Sequence, residues 1–140
     1  MPIVSDTGFS ADAAPVAFVN LQAAESGGGD LPLALEITND ADPNAVARHF
    51  GQAELIAVAF PNFADGRGFS LARRLRALGY TGRLRAKGHV IADQYPMARA
   101  CGFDEVEIDD RLAARQPEGD WVKLQDAAVN LPAHALRARP

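Results

Sequence analysis

The sequence predicts a small α/β domain in which strand–helix units repeat and build a mostly parallel sheet. Glycine follows each of three apolar helical patterns, and a short strand pattern comes within a few residues of each glycine. An earlier strand precedes the first helix. Short repeats of this kind give parallel strands joined by right-handed crossovers. We interpret the three glycines, Gly51, Gly79 and Gly102, as left-handed residues just beyond a helix.

Four segments have strand patterns. The second is apolar on both faces, which is typical of a central parallel strand. In the third and fourth, charged and apolar residues alternate, so a basic row and an acidic row each lie on one face. We expect these two strands to be neighbours with their charged rows facing each other. The segments are Leu33–Thr38, Leu55–Phe60, Arg83–Lys87 and Glu105–Asp109.

The charged rows predict that one face of this part of the sheet is not covered by helices. A regular doubly wound sheet is covered on both faces and has apolar strands throughout. A curved, half-barrel-like sheet, or an interface between copies of the chain, explains the charged face better.

A capping pattern predicts where the first helix begins, and apolar spacing predicts the buried face of the second. Asp42 is a typical helix cap, and Pro43 suits the first helical position because its missing N–H has no partner there. The second helix has apolar residues at helical spacing, which predicts its buried stripe. That stripe consists of Leu71, Ala72, Leu75 and Leu78.

A third helix is predicted with Asp93 as its N-cap. Pro96 then falls in the first turn, where no intrahelical donor is lost. Met97 and Cys101 share one face of this helix, which we predict to be buried.

Length and composition indicate one domain over residues 1–140 of the chain. We expect an N-terminal extension with a glycine-rich connector over 1–32, an α/β core over 33–110 and an irregular tail over 111–140, with a helical turn at Leu112–Arg115 and a last strand or docking segment at 121–124. The net charge of −4, with scattered basic residues, argues against a nucleic-acid surface. No apolar run is long enough to span a membrane, no secretory signal is visible and Cys101 is the only cysteine, so we expect a cytoplasmic protein.

The segment Asp65–Ser70 is the strongest candidate for a binding site. It leads from the carboxyl end of the central strand into a helix, the edge where parallel α/β folds bind ligands. Gly66 and Gly68 allow a tight turn or close approach to a ligand. The free N–H groups of the helix favour an anion, and Arg67 could add a guanidinium contact.

The same segment has a purely structural interpretation. Asp65 or Ser70 could cap the helix while Arg67 pairs with a nearby carboxylate. It is neither a P-loop nor a dinucleotide-binding fingerprint, because the glycine and lysine spacing of those motifs is absent.

Other polar residues are weaker candidates. His89 is either an anion contact beside Arg67 or a structural residue, Gln94 is a polar contact at the same rim, and Lys87 is better explained as an exposed ion pair. Cys101 sits at a helix C-terminus, where the dipole disfavours the thiolate, so we predict a packing role. The three histidines lack the spacing of metal ligands, and we expect no metal site.

Several segments carry a resemblance to a known family. Phe60–Arg73, Leu84–Ala86, Gly88, Asp93–Gln94 and Cys101–Asp104 are similar to a bacterial family called domain of unknown function nine-three-four. The resemblance covers about residues 55–109 and implies a characteristic polar set: Asp65, Gly66, Arg67, Ser70, Arg73, Arg85, Asp93, Gln94 and Cys101. Lys87, His89 and Pro96 depart from the family pattern.

The resemblance also implies a role in sulfur metabolism. Its members are typically encoded beside sulfite reductase and other sulfate-assimilation genes and are often labelled oxidoreductases. We therefore expect an accessory protein that binds a small oxyanion such as sulfite at Arg67, with Arg85, Asp93 and Gln94 at the rim. The alternative is a non-catalytic interaction module that docks on sulfite reductase or its electron donor. An oxidoreductase would need a cofactor from elsewhere, because no redox motif is encoded.

Overall fold

The computed structural model describes residues 2–10, 17–116 and 118–121. The strands are β1 (Ile3–Ser5), β2 (Gly8–Ser10), β3 (Val19–Asn20), β4 (Leu33–Ile37), β5 (Ala53–Phe60), β6 (Arg83–Gly88) and β7 (Glu105–Glu107). The α-helices are α1 (Leu21–Glu25), α2 (Pro43–Ala47), α3 (Arg67–Ala77), α4 (Tyr95–Cys101) and α5 (Asp110–Arg115), and a 3-10 turn covers Ala92–Gln94.

The described strands form one seven-stranded sheet in the order β2-β1-β7-β6-β5-β4-β3. Strands β3 to β7 run parallel to one another, whereas β1 runs antiparallel to both β7 and β2. The sheet is open and is not closed into a barrel. The predicted α/β fold with a mostly parallel sheet is therefore confirmed.

The helices between the parallel strands share one face of the sheet. From β4 to β7 the chain moves one strand in the same direction at each crossover, and right-handed crossovers then place their helices on the same side. Helix α3 packs between α2 and α4. The hydrophobic core lies between this helical layer and alternate residues of the central strands, including Leu35, Ile56, Val58, Leu84 and Val106.

The opposite face of β6 and β7 carries the charged rows. Arg85 has no exposed surface, and its guanidinium donates to Glu105 at 2.6 Å and to Glu107 at 2.8 Å. Arg83 donates to Glu105 at 2.9 Å. The predicted facing of a basic and an acidic row is confirmed, because β6 and β7 are parallel neighbours in this register.

Lys87 extends this ion-pair ladder to β4. Its ammonium donates to Glu36 at 2.6 Å, and this hydrogen bond raises the pKa of Lys87. The ring of Phe18 lies over the same face, 5.6 Å from the Arg85 guanidinium carbon and 5.8 Å from the Lys87 nitrogen. Lys87 is thus an ion-pair residue, as the sequence indicated.

The left-handed position predicted for Gly51 is wrong. Gly79 and Gly102 have φ values of +106° and +110°, but Gly51 is not among the glycines with positive φ. Helix α2 ends at Ala47, and the chain leaves it through short turns in which His49 N–H donates to the Val46 carbonyl. Because these turns already redirect the chain, no left-handed residue is needed.

The N-cap predicted at Asp93 is also wrong. A 3-10 turn precedes α4, and the Gln94 side chain accepts the N–H of Ile91 at 3.1 Å. Helix α4 then begins at Tyr95, so Pro96 lies in its first turn as predicted.

Two residues assigned to buried helical faces lie outside them. Met97 is 52% exposed, because the buried stripe of α4 runs through Tyr95, Ala98 and Cys101 instead. Leu78 is 39% exposed, because it is the C-cap of α3 and lies beyond the helical stripe.

The chain around β7 and α5 corrects the predicted strand end. Strand β7 stops at Glu107, and Asp109 instead caps α5 by accepting the N–H of Leu112 at 2.7 Å. The helical turn predicted at Leu112–Arg115 is confirmed within α5. Trp121 is buried against Tyr95, whereas residues 122–124 of the predicted last segment lie outside the described residues.

None of the helices in the described ranges has the length and apolar character needed to cross a bilayer.

Candidate functional site

The carboxyl ends of the parallel strands bring two candidate regions to the same edge of the sheet. One is the segment Asp65–Ser70, which connects β5 to α3 and includes the first turn of that helix. The other is a cleft formed by the segments that follow β5, β6 and β7. Ligands of open parallel sheets bind at this edge.

The Asp65–Ser70 segment is held by its own ion pair. The Asp65 carboxylate accepts the backbone N–H of Arg67 at 3.1 Å and its guanidinium at 2.7 Å. Asn39, which follows β4 and is buried, donates its side-chain amide to Asp65 at 3.0 Å. The Asp65 carboxylate therefore occupies the place at the start of α3 where a bound anion was predicted.

The pKa values follow from this pairing. The hydrogen bond from the Arg67 side chain, together with its backbone N–H and Asn39, holds the pKa of Asp65 well below its usual range. The same carboxylate raises the pKa of Arg67. Arg67 is 63% exposed along its side chain, yet its guanidinium has a carboxylate partner. This arrangement corresponds to the structural interpretation of the segment.

The two glycines of the segment have different roles. A methyl group at Gly68 would lie 2.4 Å from the ring of Phe60, so glycine is required for α3 to pack closely on β5. Gly66 has a φ of −85° and free space around it, so its position does not require glycine.

Ser70 lies in a shallow groove and does not cap α3. The groove, of about 330 Å³, runs between α3 and α4 and is lined by Gly66, Phe69, Ser70, Arg73, Met97 and Cys101. Burial raises the pKa of the Cys101 thiol, and the opposing effect of Arg73 is smaller. The thiolate is therefore disfavoured at neutral pH.

The second region, which we call the carboxyl-edge cleft, has a volume of about 390 Å³. It is lined by Phe63, Gly88, His89, Ile91, Asp109, Leu112, Arg115 and Gln116. Three connections and helix α5 contribute these residues, so no single sequence motif builds the cleft.

Hydrogen bonds hold the walls of the carboxyl-edge cleft together. Gln94 donates its side-chain amide to the carbonyl of Phe63 at 2.7 Å and so connects the segment after β5 to the start of α4. The side-chain oxygen of Gln116 accepts the N–H of Ala92 at 2.7 Å, which ties the end of α5 to the 3-10 turn.

Gly88 allows the floor of the carboxyl-edge cleft to form. It has a φ of +117°, and a methyl group there would lie 2.7 Å from the carbonyl oxygen of Phe60. That same oxygen accepts the N–H of His89 at 2.9 Å. The turn brings the exposed His89 side chain to the cleft.

Arg115 gives the carboxyl-edge cleft a cation. It lies in the last turn of α5 and is exposed. Within the described residues, no carboxylate forms an ion pair with it. Asp109 adds one carboxylate to the lining. The same carboxylate caps α5.

The sequence-predicted site residues are thus divided among different places. His89 lines the carboxyl-edge cleft and Gln94 supports it. Arg85 lies in the middle of β6 on the charged face, away from the rim at which it was expected. Asp93 is exposed and lines neither the groove nor the cleft.

Sequence reasoning missed most of the cleft. Phe63, Asp109, Arg115 and Gln116 were not singled out as binding residues. The one available signal was positional, because Asp109 and the segment after it follow the fourth strand pattern at the carboxyl edge.

Residues 34–129 match the family described as "Bacterial protein of unknown function (DUF934)". The chain belongs to this family. The matched range of the DUF934 protein contains both the Asp65–Ser70 segment and every residue that lines the carboxyl-edge cleft. The resemblance found in the sequence is thereby confirmed. No curated protein and no solved structure matches the chain.

Proposed function

We propose that this DUF934 protein acts in the cytoplasm as an accessory protein of assimilatory sulfite reduction and binds a small oxyanion in the carboxyl-edge cleft. Arg115 would bind the anion, and His89 and the side-chain amide of Gln116 would contribute polar contacts. The sulfur assignment rests on the resemblance, which implies a gene neighbourhood with sulfite reductase.

One observation supports this position for the anion: the different pairing of two arginines at the same edge. The Arg67 guanidinium has the Asp65 carboxylate as its partner at 2.7 Å. Arg115 has no carboxylate partner among the described residues and lines a cleft large enough for a ligand. A guanidinium without a partner binds an oxyanion without first losing an existing ion pair.

The Asp65–Ser70 segment is the other proposed position. An anion that bound Arg67 there would have to displace Asp65 or share the guanidinium with it. The nearby Asp40 carboxylate adds a further negative charge beside Arg67. Two carboxylates thus lie beside Arg67, whereas Asp109 is the one carboxylate among the described residues that line the cleft, so the cleft is the more favourable of the two positions.

Calorimetric titration with sulfite, sulfate and phosphate tests the proposal. We expect measurable binding of at least one of these ions, and about a tenfold loss in the Arg115→Gln variant, since a hydrogen bond to a charged group contributes about 1.5–3 kcal/mol. Arg111→Gln is the matched control, because Arg111 is also exposed on α5 but does not line the cleft. Failure of all three ions to bind would refute the proposal.

A second candidate function is a non-catalytic module that docks on sulfite reductase or its electron donor. Helix α3 favours it, because the helix contains no acidic residue and exposes Arg73 and Arg74. Neither arginine has a carboxylate partner among the described residues. Met97, 52% exposed, lies in the adjoining groove. An acidic partner surface with one apolar side chain would complement this face.

Affinity purification from a native host tests the docking function. We expect sulfite reductase or its electron donor to be enriched with the wild-type protein and lost with the double variant Arg73→Glu, Arg74→Glu. The variant Arg111→Glu is the control for charge reversal at an exposed arginine away from α3, and it is compared with each single variant, Arg73→Glu and Arg74→Glu, which changes the net charge equally. The absence of both partners from the wild-type sample would contradict this function.

A further inference from the structure

The volume of the carboxyl-edge cleft gives information on the size of its ligand, which the charge of Arg115 does not. A water molecule occupies about 30 Å³ of liquid, and an oxyanion of four or five heavy atoms takes a small multiple of that. The cleft measures about 390 Å³. This value lies in the range of about 300–1,000 Å³ that is usual for organic ligands. A bare oxyanion would leave most of the cleft to water.

The lining of the cleft has an apolar part that an inorganic ion would not use. Phe63, Ile91 and Leu112 contribute apolar side chains. Phe63 is 58% exposed, so much of its side chain is accessible to a ligand in the cleft. An apolar or aromatic body placed against this ring would gain free energy by its removal from water.

The carboxylate of Asp109 in the lining constrains the arrangement further. It would repel a multiply charged inorganic ion that occupied the centre of the cleft. A ligand with its charge at one end can place that charge at Arg115 and keep its neutral body beside Asp109. The carboxylate oxygens can also accept a hydrogen bond from a ligand hydroxyl or amine.

We propose that the ligand of the carboxyl-edge cleft is an organic molecule that carries an oxyanion group on a planar aromatic body, such as an aryl phosphate or sulfate ester. The anionic group binds Arg115, and the aromatic body packs against Phe63. This inference rests on the proposed oxyanion-binding function and specifies the class of ligand for the same site.

A comparison of two phosphate monoesters tests the inference, because they differ only in the organic group. We expect phenyl phosphate to bind at least about tenfold more tightly than methyl phosphate in calorimetric titrations. Phe63→Ala should remove most of this difference and leave the affinity for methyl phosphate unchanged. Because Phe63 is largely exposed, this variant is expected to fold. Arg115→Gln should weaken binding of both esters.

Met97→Ala is the matched control, since Met97 is similarly exposed but does not line the cleft. It should retain the preference for phenyl phosphate. Equal binding of the two esters, or a preference that survives Phe63→Ala, would overturn the inference. If inorganic sulfite or phosphate still bound through Arg115 in that case, the proposed function would stand. Failure of every ester and every inorganic ion to bind would overturn both.

Discussion

The Asp65–Ser70 segment and the carboxyl-edge cleft lie at the same edge of the sheet but differ in how their polar groups are satisfied. In the segment, Arg67 and the start of α3 find a partner in Asp65, two residues earlier in the chain. In the cleft, Arg115 has no such partner among the described residues. A glycine-containing turn at the correct edge is therefore not by itself a vacant anion site, because a carboxylate of the chain can fill the position.

The difference has a simple origin in the chain. Asp65 and Arg67 are close in sequence, so the pair forms wherever that turn forms. The cleft depends on Phe63, His89 and Arg115, which only the assembled fold brings together. In the Asp65–Ser70 segment, residues close in sequence satisfy one another's charges. In the cleft, residues from distant segments meet, and Arg115 has no carboxylate partner among the described residues.

The largest effect that we expect concerns Arg85, which the sequence placed at the rim with Arg67. Arg85→Met would leave the buried carboxylates of Glu105 and Glu107 without their shared partner. We predict a loss of about 3 kcal/mol in the free energy of unfolding, the lower end of the usual cost of breaking a buried ion pair, because Arg83 still pairs with Glu105. Urea denaturation measures it.

Arg74→Met is the control for this substitution, because Arg74 is exposed on α3 and should change stability by less than about 0.5 kcal/mol. If the Arg85→Met protein is as stable as wild type but no longer binds an anion, Arg85 is a binding residue, as predicted from the sequence.

The next effect tests the close packing of α3 on β5. Gly68→Ala would place a methyl group 2.4 Å from the Phe60 ring, which also packs against Phe69 and Phe103. We predict a loss of about 1–3 kcal/mol, the usual cost of overpacking a core. Thermal unfolding followed by circular dichroism measures it.

Gly66→Ala offers a direct comparison within the same segment, since its added methyl group has free space. It should change stability by less than about 1 kcal/mol. Equal losses in the two variants would show that the segment does not pack as described.

A smaller effect should appear in the pH dependence of the Asp65 pair. The folded-state pKa of Asp65 is lowered, chiefly by Arg67, so its contribution is complete above the unfolded pKa of about 4 and is lost as the pH falls further. We predict that the difference in melting temperature between wild type and Asp65→Asn is constant from pH 7 to about 5 and shrinks below about 4. A difference that stays constant down to pH 2 would contradict the ion pair.

Much of the fold follows from local patterns that the structure confirms. The apolar strand β5, the opposed charges of β6 and β7 and the cap at Asp42 each depend on a few neighbouring residues. The β1–β2 hairpin beside β7 was not predicted, because its strands are very short and β1 joins the sheet through β7, which lies far along the chain. The hydrogen bond from the Gln94 side chain to the Phe63 carbonyl was not predicted either, because it joins two segments that lie far apart in the sequence.

The candidate site was less predictable than the fold. Position at the carboxyl edge singled out the region after β5 and His89, and the structure shows that Phe63 and His89 line the cleft. Sequence patterns alone could not show whether the Arg67 guanidinium is available to a ligand or paired with a carboxylate, since that depends on the side-chain geometry of Asp65. Arg115 lies in a short helix after the last parallel strand, where no pattern distinguishes a binding residue from a surface arginine.

Titration of two arginine variants with sulfite tests the central claim most directly. Both residues are exposed at the same edge, and only Arg67 has a carboxylate partner among the described residues. We predict that Arg115→Gln weakens sulfite binding by about tenfold or more, whereas Arg67→Gln changes it by less than about twofold. The opposite result, with binding lost in Arg67→Gln and kept in Arg115→Gln, would place the site in the Asp65–Ser70 segment and contradict the account.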